Sequence, residues 1–146
     1  MNRFAKLLGV LVLLAAFSTL AASSNNYAGM SNEQYDAAVA NLLIGLQSDN
    51  PGLSKSCAFM LGELKAGTAV VPLMGVLRSD KPEDCRIIAA LALCRIGDAR
   101  GVYAVKQAVT FDESTGVQQK CAWFYDQFVH PGSYEFVTMG AAVASR

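Results

Sequence analysis

One apolar pattern occurs three times in this chain at a spacing of 32 residues. Each copy begins with an alanine followed by apolar side chains, and these alanines are Ala58, Ala90 and Ala122. The segments that precede the copies recur with nearly the same spacing, at 46–49, 77–80 and 109–112. A repeat of this length is one supersecondary unit that buries its apolar face by stacking on its neighbours. The spacing therefore predicts an array of stacked units.

The residue pattern within each unit predicts two helices, because apolar residues recur at three- and four-residue spacing. The predicted first helices are 33–47, 69–78 and 101–110. The predicted second helices are 53–65, 83–96 and 115–129. Pro51 and Pro82 stand where a second helix begins, a position that tolerates the missing N–H of proline. We therefore expect an all-α chain with repeats at about 33–66, 67–98 and 99–130.

The second helix of the middle unit carries the most specific motif. The residues that match a known family pattern there are Arg86, Ala89, Ala90, Ala92, Leu93, Ile96, Gly97 and Asp98. This motif resembles short bacterial HEAT repeats, of the kind also found in phycobilisome lyase proteins. The chain departs from the family pattern at Cys85 and Cys94, where the family has valine and glycine, and Ser54 and Gln118 replace the arginine in the flanking units. The resemblance implies a short α-solenoid whose second helices line a concave side.

The first residues of the chain have the layout of a secretory signal peptide. Arg3 and Lys6 precede an apolar run at 7–20, which is shorter than the roughly 20 residues of a membrane-spanning helix. We therefore predict a signal peptide at 1–22 and a flexible lead-in at 23–32, with an uncleaved anchor as the alternative. The protein is then exported, with the periplasm favoured over secretion, and is not inserted in a membrane after signal removal.

The last residues, 131–146, align with a first helix and are predicted to form a capping half-repeat. Ser133 would be its N-cap, and Phe136 and Val143 would cover the exposed end of the core. A strand is the alternative for the β-prone residues beside Phe136. With this cap, the HEAT-like domain covers 33–146.

Composition and charge exclude several classes of function. The chain has 12 basic and 12 acidic residues, so it lacks the positive charge of a nucleic-acid-binding protein. His130 is its one histidine, which leaves little scope for a transition-metal site. The sequence contains no Cys-x-x-Cys pair and no glycine-rich phosphate loop. We expect no cofactor, no metal and no enzymatic activity, and the lyase activity of the family is not carried over.

The four cysteines are predicted to be buried thiols. Cys57 and Cys121 hold the same position two units apart, and stacked helices lie about 8–10 Å from each other. Disulfide formation needs Cα atoms within about 7 Å, so this pair is too distant. Cys85 and Cys94 lie on one helix more than two turns apart. One disulfide between neighbouring units and a reactive thiol are the alternatives.

The repeat register leaves one apolar side chain in each second helix at a position that is usually exposed. These side chains are Phe59, Leu91 and Trp123, which we call the apolar ladder. The residues one turn before or after them on the same helix face are Lys55, Ile87, Gln119, Glu63, Arg95 and Gln127. An apolar row with a polar rim is typical of a protein interface. Burial of the ladder against the lead-in, or of Trp123 in the last repeat, is the structural alternative.

The hypothesis favoured by these features is a non-catalytic adaptor or scaffold that binds a protein partner. The apolar ladder would supply desolvation, while Lys55, Glu63 and Arg95 would orient the bound segment. The alternative is a structural or assembly module that self-associates through its end caps.

Overall fold

The computed structural model describes residues 29–129, and this part of the chain is all-helical, with no strand among the described residues. Its α-helices are α1 (Asn32–Leu46), α2 (Pro51–Glu63), α3 (Val70–Leu77), α4 (Glu83–Ile96), α5 (Ala99–Phe111) and α6 (Thr115–Phe128). A 3-10 turn, Gly67–Ala69, precedes α3. The predicted all-α class is confirmed, and every helix end lies within two residues of its predicted position. The predicted signal peptide and capping half-repeat lie outside the described residues.

Contacts divide the chain into two units, Met1–Tyr35 and Asp36–Arg146. The described part of the first unit contains the beginning of α1. There the Ser31 hydroxyl accepts from the Gln34 backbone N–H at 3.2 Å, and the Ser31 N–H donates to the Gln34 side chain at 2.9 Å. This reciprocal capping box explains why α1 begins at this point.

Capping residues also set the ends of the helices in the second unit. Three side chains accept backbone N–H groups at helix N-termini, and they belong to Asn50, Asp98 and Ser114. Pro51 follows Asn50 as the first residue of α2, where its missing N–H costs no hydrogen bond. Gly97 ends α4 at φ 74°, a left-handed conformation that glycine adopts without steric strain. The helix boundaries therefore follow from local chemistry.

Four helices of the second unit pack around α4, and they are α2, α3, α5 and α6. The remaining extensive contacts join α3 to α5 and α5 to α6. Gly62 of α2 faces Ala92 of α4 so closely that a Cβ atom on Gly62 would lie 2.7 Å from the Ala92 Cα. Leu61, Leu73 and Leu93 are fully buried in the core between these helices. The predicted second helices thus contact one another in chain order.

A buried ion pair joins α4 to the loop between α5 and α6. The Nη1 of Arg86 donates to the two carboxylate oxygens of Asp112 at 2.9 and 2.8 Å. The side chains of Arg86 and Asp112 are only 15% and 5% exposed. One Asp112 oxygen also accepts the Ser114 backbone N–H at 2.9 Å. This pair fixes the start of α4 against the end of α5.

Candidate functional site

The apolar ladder lies on α2, α4 and α6, the three helices that contact one another in order. Phe59 and Trp123 each expose 39% of their surface, and Leu91 between them is half-buried. Exposed aromatic side chains are enriched in protein interfaces, where their burial supplies binding energy. The structure therefore leaves the two aromatic ends of the ladder partly open to solvent.

Arg95 packs on the ladder instead of extending from it. Its guanidinium carbon lies 4.8 Å from the centroid of the Phe59 ring, within the range of a cation–π contact. The same guanidinium forms an ion pair with Glu63. Because Arg95 belongs to α4 and the other two residues belong to α2, these contacts join one predicted site residue of α4 to two of α2.

Lys55 has a partner within the protein as well. Its ammonium donates to the Asp84 carboxylate at 2.5 Å, which joins α2 to the first turn of α4. This hydrogen bond lowers the pKa of Asp84 and raises the pKa of Lys55. The three charged side chains predicted to orient a partner are therefore all paired inside the molecule.

The α6 part of the predicted site carries amide groups. Gln119 and Gln127 are exposed, and the Gln127 amide donates to the Asp126 carboxylate at 3.1 Å. Trp123 contacts the ring of Phe124, with centroids 5.4 Å apart, and Phe124 is buried. Trp123 thus contacts the core through the Phe124 ring, while 39% of its surface stays exposed. Ile87, on α4, is half-buried.

A hollow of about 240 Å³ lies at the C-terminal end of this face. Two of its lining residues, Glu63 and Arg95, belong to the predicted site, and Lys65 and Phe128 are additions. Phe128 is 47% exposed and lines this hollow, whereas Trp123 does not.

Sequence reasoning missed a second surface, a groove of about 480 Å³ between α3, α4 and α5. Two exposed aromatic residues of α5, Tyr103 and Phe111, line it together with Arg86. The available signal was the eight-residue spacing of the two aromatics, which places them on one face of α5. The candidate site was chosen from repeat positions of the second helices. Because α5 is a first helix, the repeat pattern did not point to this face.

All four cysteines are buried and unpaired, which confirms the prediction of buried thiols over the disulfide alternative. Burial raises the pKa of Cys94 and the pKa of Cys121 to about 12. A thiol that stays protonated is neither a nucleophile nor a metal ligand. Within residues 29–129, no group of three or more His, Cys, Asp and Glu side chains is placed to hold a metal ion.

We expect Cys94 and Cys121 to resist alkylation in the folded protein. A rise of the pKa from 9.0 to about 12 lowers the thiolate fraction about a thousandfold near pH 8, and burial also blocks the reagent. Mass spectrometry after timed iodoacetamide treatment measures the rate at each site. The matched control is Ser56→Cys on the exposed side of α2, which should react as fast as free cysteine. If Cys94 or Cys121 reacts as fast as the control cysteine, that thiol is not a buried, protonated core residue.

Comparison with known proteins finds no family whose model matches this chain, and no curated protein that is significantly similar to it. The HEAT resemblance therefore rests on the motif in α4 and on the repeat spacing. No helix between residues 29 and 129 is long and apolar enough to cross a membrane.

Proposed function

We propose that this protein is an exported, non-catalytic HEAT-repeat adaptor that binds a segment of a partner protein through the apolar ladder. The order of helix contacts supports a short solenoid, because α2 contacts α4 and α4 contacts α6, while α3 contacts α5. Stacked helix pairs bring equivalent helices together in this way. The residues at 1–22 support export, with the periplasm as the favoured destination.

The observation that carries the proposal is the partial exposure of Phe59 and Trp123 at the two ends of one helix row. A partner that covers both rings removes apolar surface from water, which yields about 25 cal/mol for each Å² buried. Leu91 is half-buried on α4, the helix that contacts both α2 and α6, and it would link the two rings beneath a bound segment. The ladder is thus the center of the proposed interface.

The charged residues of the site hold the ladder in place and do not offer free charges to the partner. Arg95 is stacked on Phe59 and paired with Glu63. Lys55 is paired with Asp84. Because these charges are balanced within the protein, the surface that the partner meets is apolar with a neutral rim. We therefore infer that the bound segment is itself largely apolar, and that binding depends weakly on salt.

The test compares the amount of partner protein captured by the parent chain and by a site variant. Both are produced as full chains in the native host, with their own leader and a C-terminal tag. The site variant carries Phe59→Ala, Leu91→Ala and Trp123→Ala. The expected result is the loss of a specific co-purifying protein, because truncation of interface aromatics costs about 1 kcal/mol or more for each hot-spot residue. A double variant, Phe59→Ala and Trp123→Ala, keeps the half-buried Leu91. It shows whether partner loss in the triple variant comes from the missing aromatic rings or from a folding defect.

The matched control removes the same number of exposed apolar side chains elsewhere, at Ile44, Leu53 and Val71. This control should retain the partner. Equal capture by all variants would disprove the ladder as the binding site. A mass that rises with protein concentration, with no partner captured, would favour the self-association alternative.

A further inference from the structure

Helix α1 buries fewer of its residues than the other first helices do. Of its 15 residues, only Val39 and Leu46 are buried. Four of the eight residues of α3 are buried, and so are four of the 13 residues of α5. Helix α1 also takes part in none of the extensive contacts between the described helices. Because a segment with few buried contacts opens at a low cost in free energy, α1 is the described helix that its neighbours hold least firmly.

Two close contacts attach the last turn of α1 to α2. Gly45 packs on the Cys57 side chain so closely that a Cβ atom on Gly45 would lie 2.5 Å from the Cys57 Sγ. The buried Ser54 hydroxyl donates to the Leu46 carbonyl oxygen at 2.7 Å. The first contact requires glycine, and glycine is a weaker helix former than alanine. The turn that attaches α1 is therefore also a turn of low intrinsic helix stability.

The loop that follows α1 is fixed to the rest of the protein beyond Gln47. The Lys81 ammonium, from the loop between α3 and α4, donates to the Ser48 carbonyl oxygen at 2.8 Å. The Ser48 hydroxyl accepts the Asn50 backbone N–H at 3.1 Å, and the Asn50 side chain caps α2. A movement of α1 would therefore leave 48–50 in place and turn the chain near Gln47.

The side chain that the last turn of α1 covers is Cys57. Its exposure is 5%, and its equivalent in the last repeat, Cys121, is 0% exposed. Cys121 belongs to α6, which makes extensive contacts with both α4 and α5. If α1 moves away, Cys57 loses the residue that covers its Sγ, whereas Cys121 keeps its surroundings. Two buried thiols at equivalent repeat positions therefore differ in how firmly they are covered.

We propose that α1 is a hinged cover that turns about Gln47 while α2–α6 stay folded, and that its opening exposes the Cys57 thiol to solvent. This opening is a property of the fold and does not depend on the function proposed for the apolar ladder.

The first test is native-state hydrogen exchange of the tagged full chain in increasing concentrations of urea below the unfolding transition. We expect the backbone amides of 36–46 to exchange about tenfold or more faster than those of α4. Their exchange rate should change little with urea, because the opening of α1 exposes little surface, whereas exchange in α4 should accelerate steeply. Equal rates for the two helices, or an equal dependence on urea, would overturn the proposal.

The second test compares the rates at which iodoacetamide alkylates Cys57 and Cys121 in the folded chain. We expect Cys57 to react about tenfold or more faster. A Ser54→Ala variant lacks the hydrogen bond to Leu46, so its Cys57 should react about fivefold faster than that of the parent, with the Cys121 rate unchanged. The matched control is Ser56→Ala, whose lost hydrogen bond lies within α2, and it should leave both rates unchanged.

The Cys121 rate in each variant separates the opening of α1 from unfolding of the whole chain. If Ser54→Ala raises the rates of Cys57 and Cys121 alike, the helices open together and α1 is not an independent cover. A Cys57 that reacts as slowly as Cys121 in the parent, or whose rate Ser54→Ala leaves unchanged, would equally reject the proposal.

Discussion

Replacing Asp112 with alanine should destabilise the protein by about 3–5 kcal/mol, the largest loss expected from any single change of a polar residue here. The substitution leaves the Arg86 guanidinium in a site where its side chain is 15% exposed and its carboxylate partner is gone. A buried charge without a counter-charge loses its hydration and gains no compensating interaction. Urea unfolding followed by circular dichroism measures the free energy of unfolding.

The matched control for this prediction is Asp84→Ala. Asp84 also pairs with a cation from another segment, Lys55, but the two side chains are 54% and 42% exposed. Removal of an exposed pair should change the free energy of unfolding by about 0–1 kcal/mol. If the two variants lose equal stability, burial does not govern the strength of the Arg86 pair and our account of it fails.

Replacing Gly62 with alanine should lower the free energy of unfolding by about 1–3 kcal/mol, although alanine is the better helix former. The new Cβ would lie 2.7 Å from the Cα and 2.9 Å from the Cβ of Ala92. Neither atom belongs to a flexible side chain, so α2 has to move away from α4. Thermal unfolding of the variant and the parent gives the difference in stability.

Gly75→Ala is the control for Gly62, because Gly75 lies in the exposed part of α3 and a Cβ there meets nothing within 4 Å. This change should stabilise the protein by about 0.5–1 kcal/mol through helix propensity alone. The two alanine variants therefore shift in opposite directions. A stabilising Gly62→Ala would show that α2 and α4 are not in close contact. Movement of α2 would also separate Phe59 from Arg95, so the variant links packing to the proposed site.

Sequence reasoning placed the site residues on three helices that the structure shows in contact, but it did not identify the partners of their charged side chains. The register placed Phe59 and Trp123 on exposed positions, and both rings are partly exposed. It expected Arg95 to orient a bound segment and did not foresee that Arg95 stacks on Phe59 and pairs with Glu63. Register predicts the helix face of a residue, but the choice of partner depends on the distance and rotation of the next helix.

The helices themselves were determined by the sequence alone. Apolar spacing, the N-cap at Asn50 and the left-handed Gly97 act within four residues of chain, so they can be recognised without knowing the fold. Only the tertiary structure decided that Arg86 meets Asp112 across 26 positions, and that Tyr103 and Phe111 border a groove. Those features depend on how closely α4 and α5 approach each other, and that approach is set by the packing of side chains from separate helices.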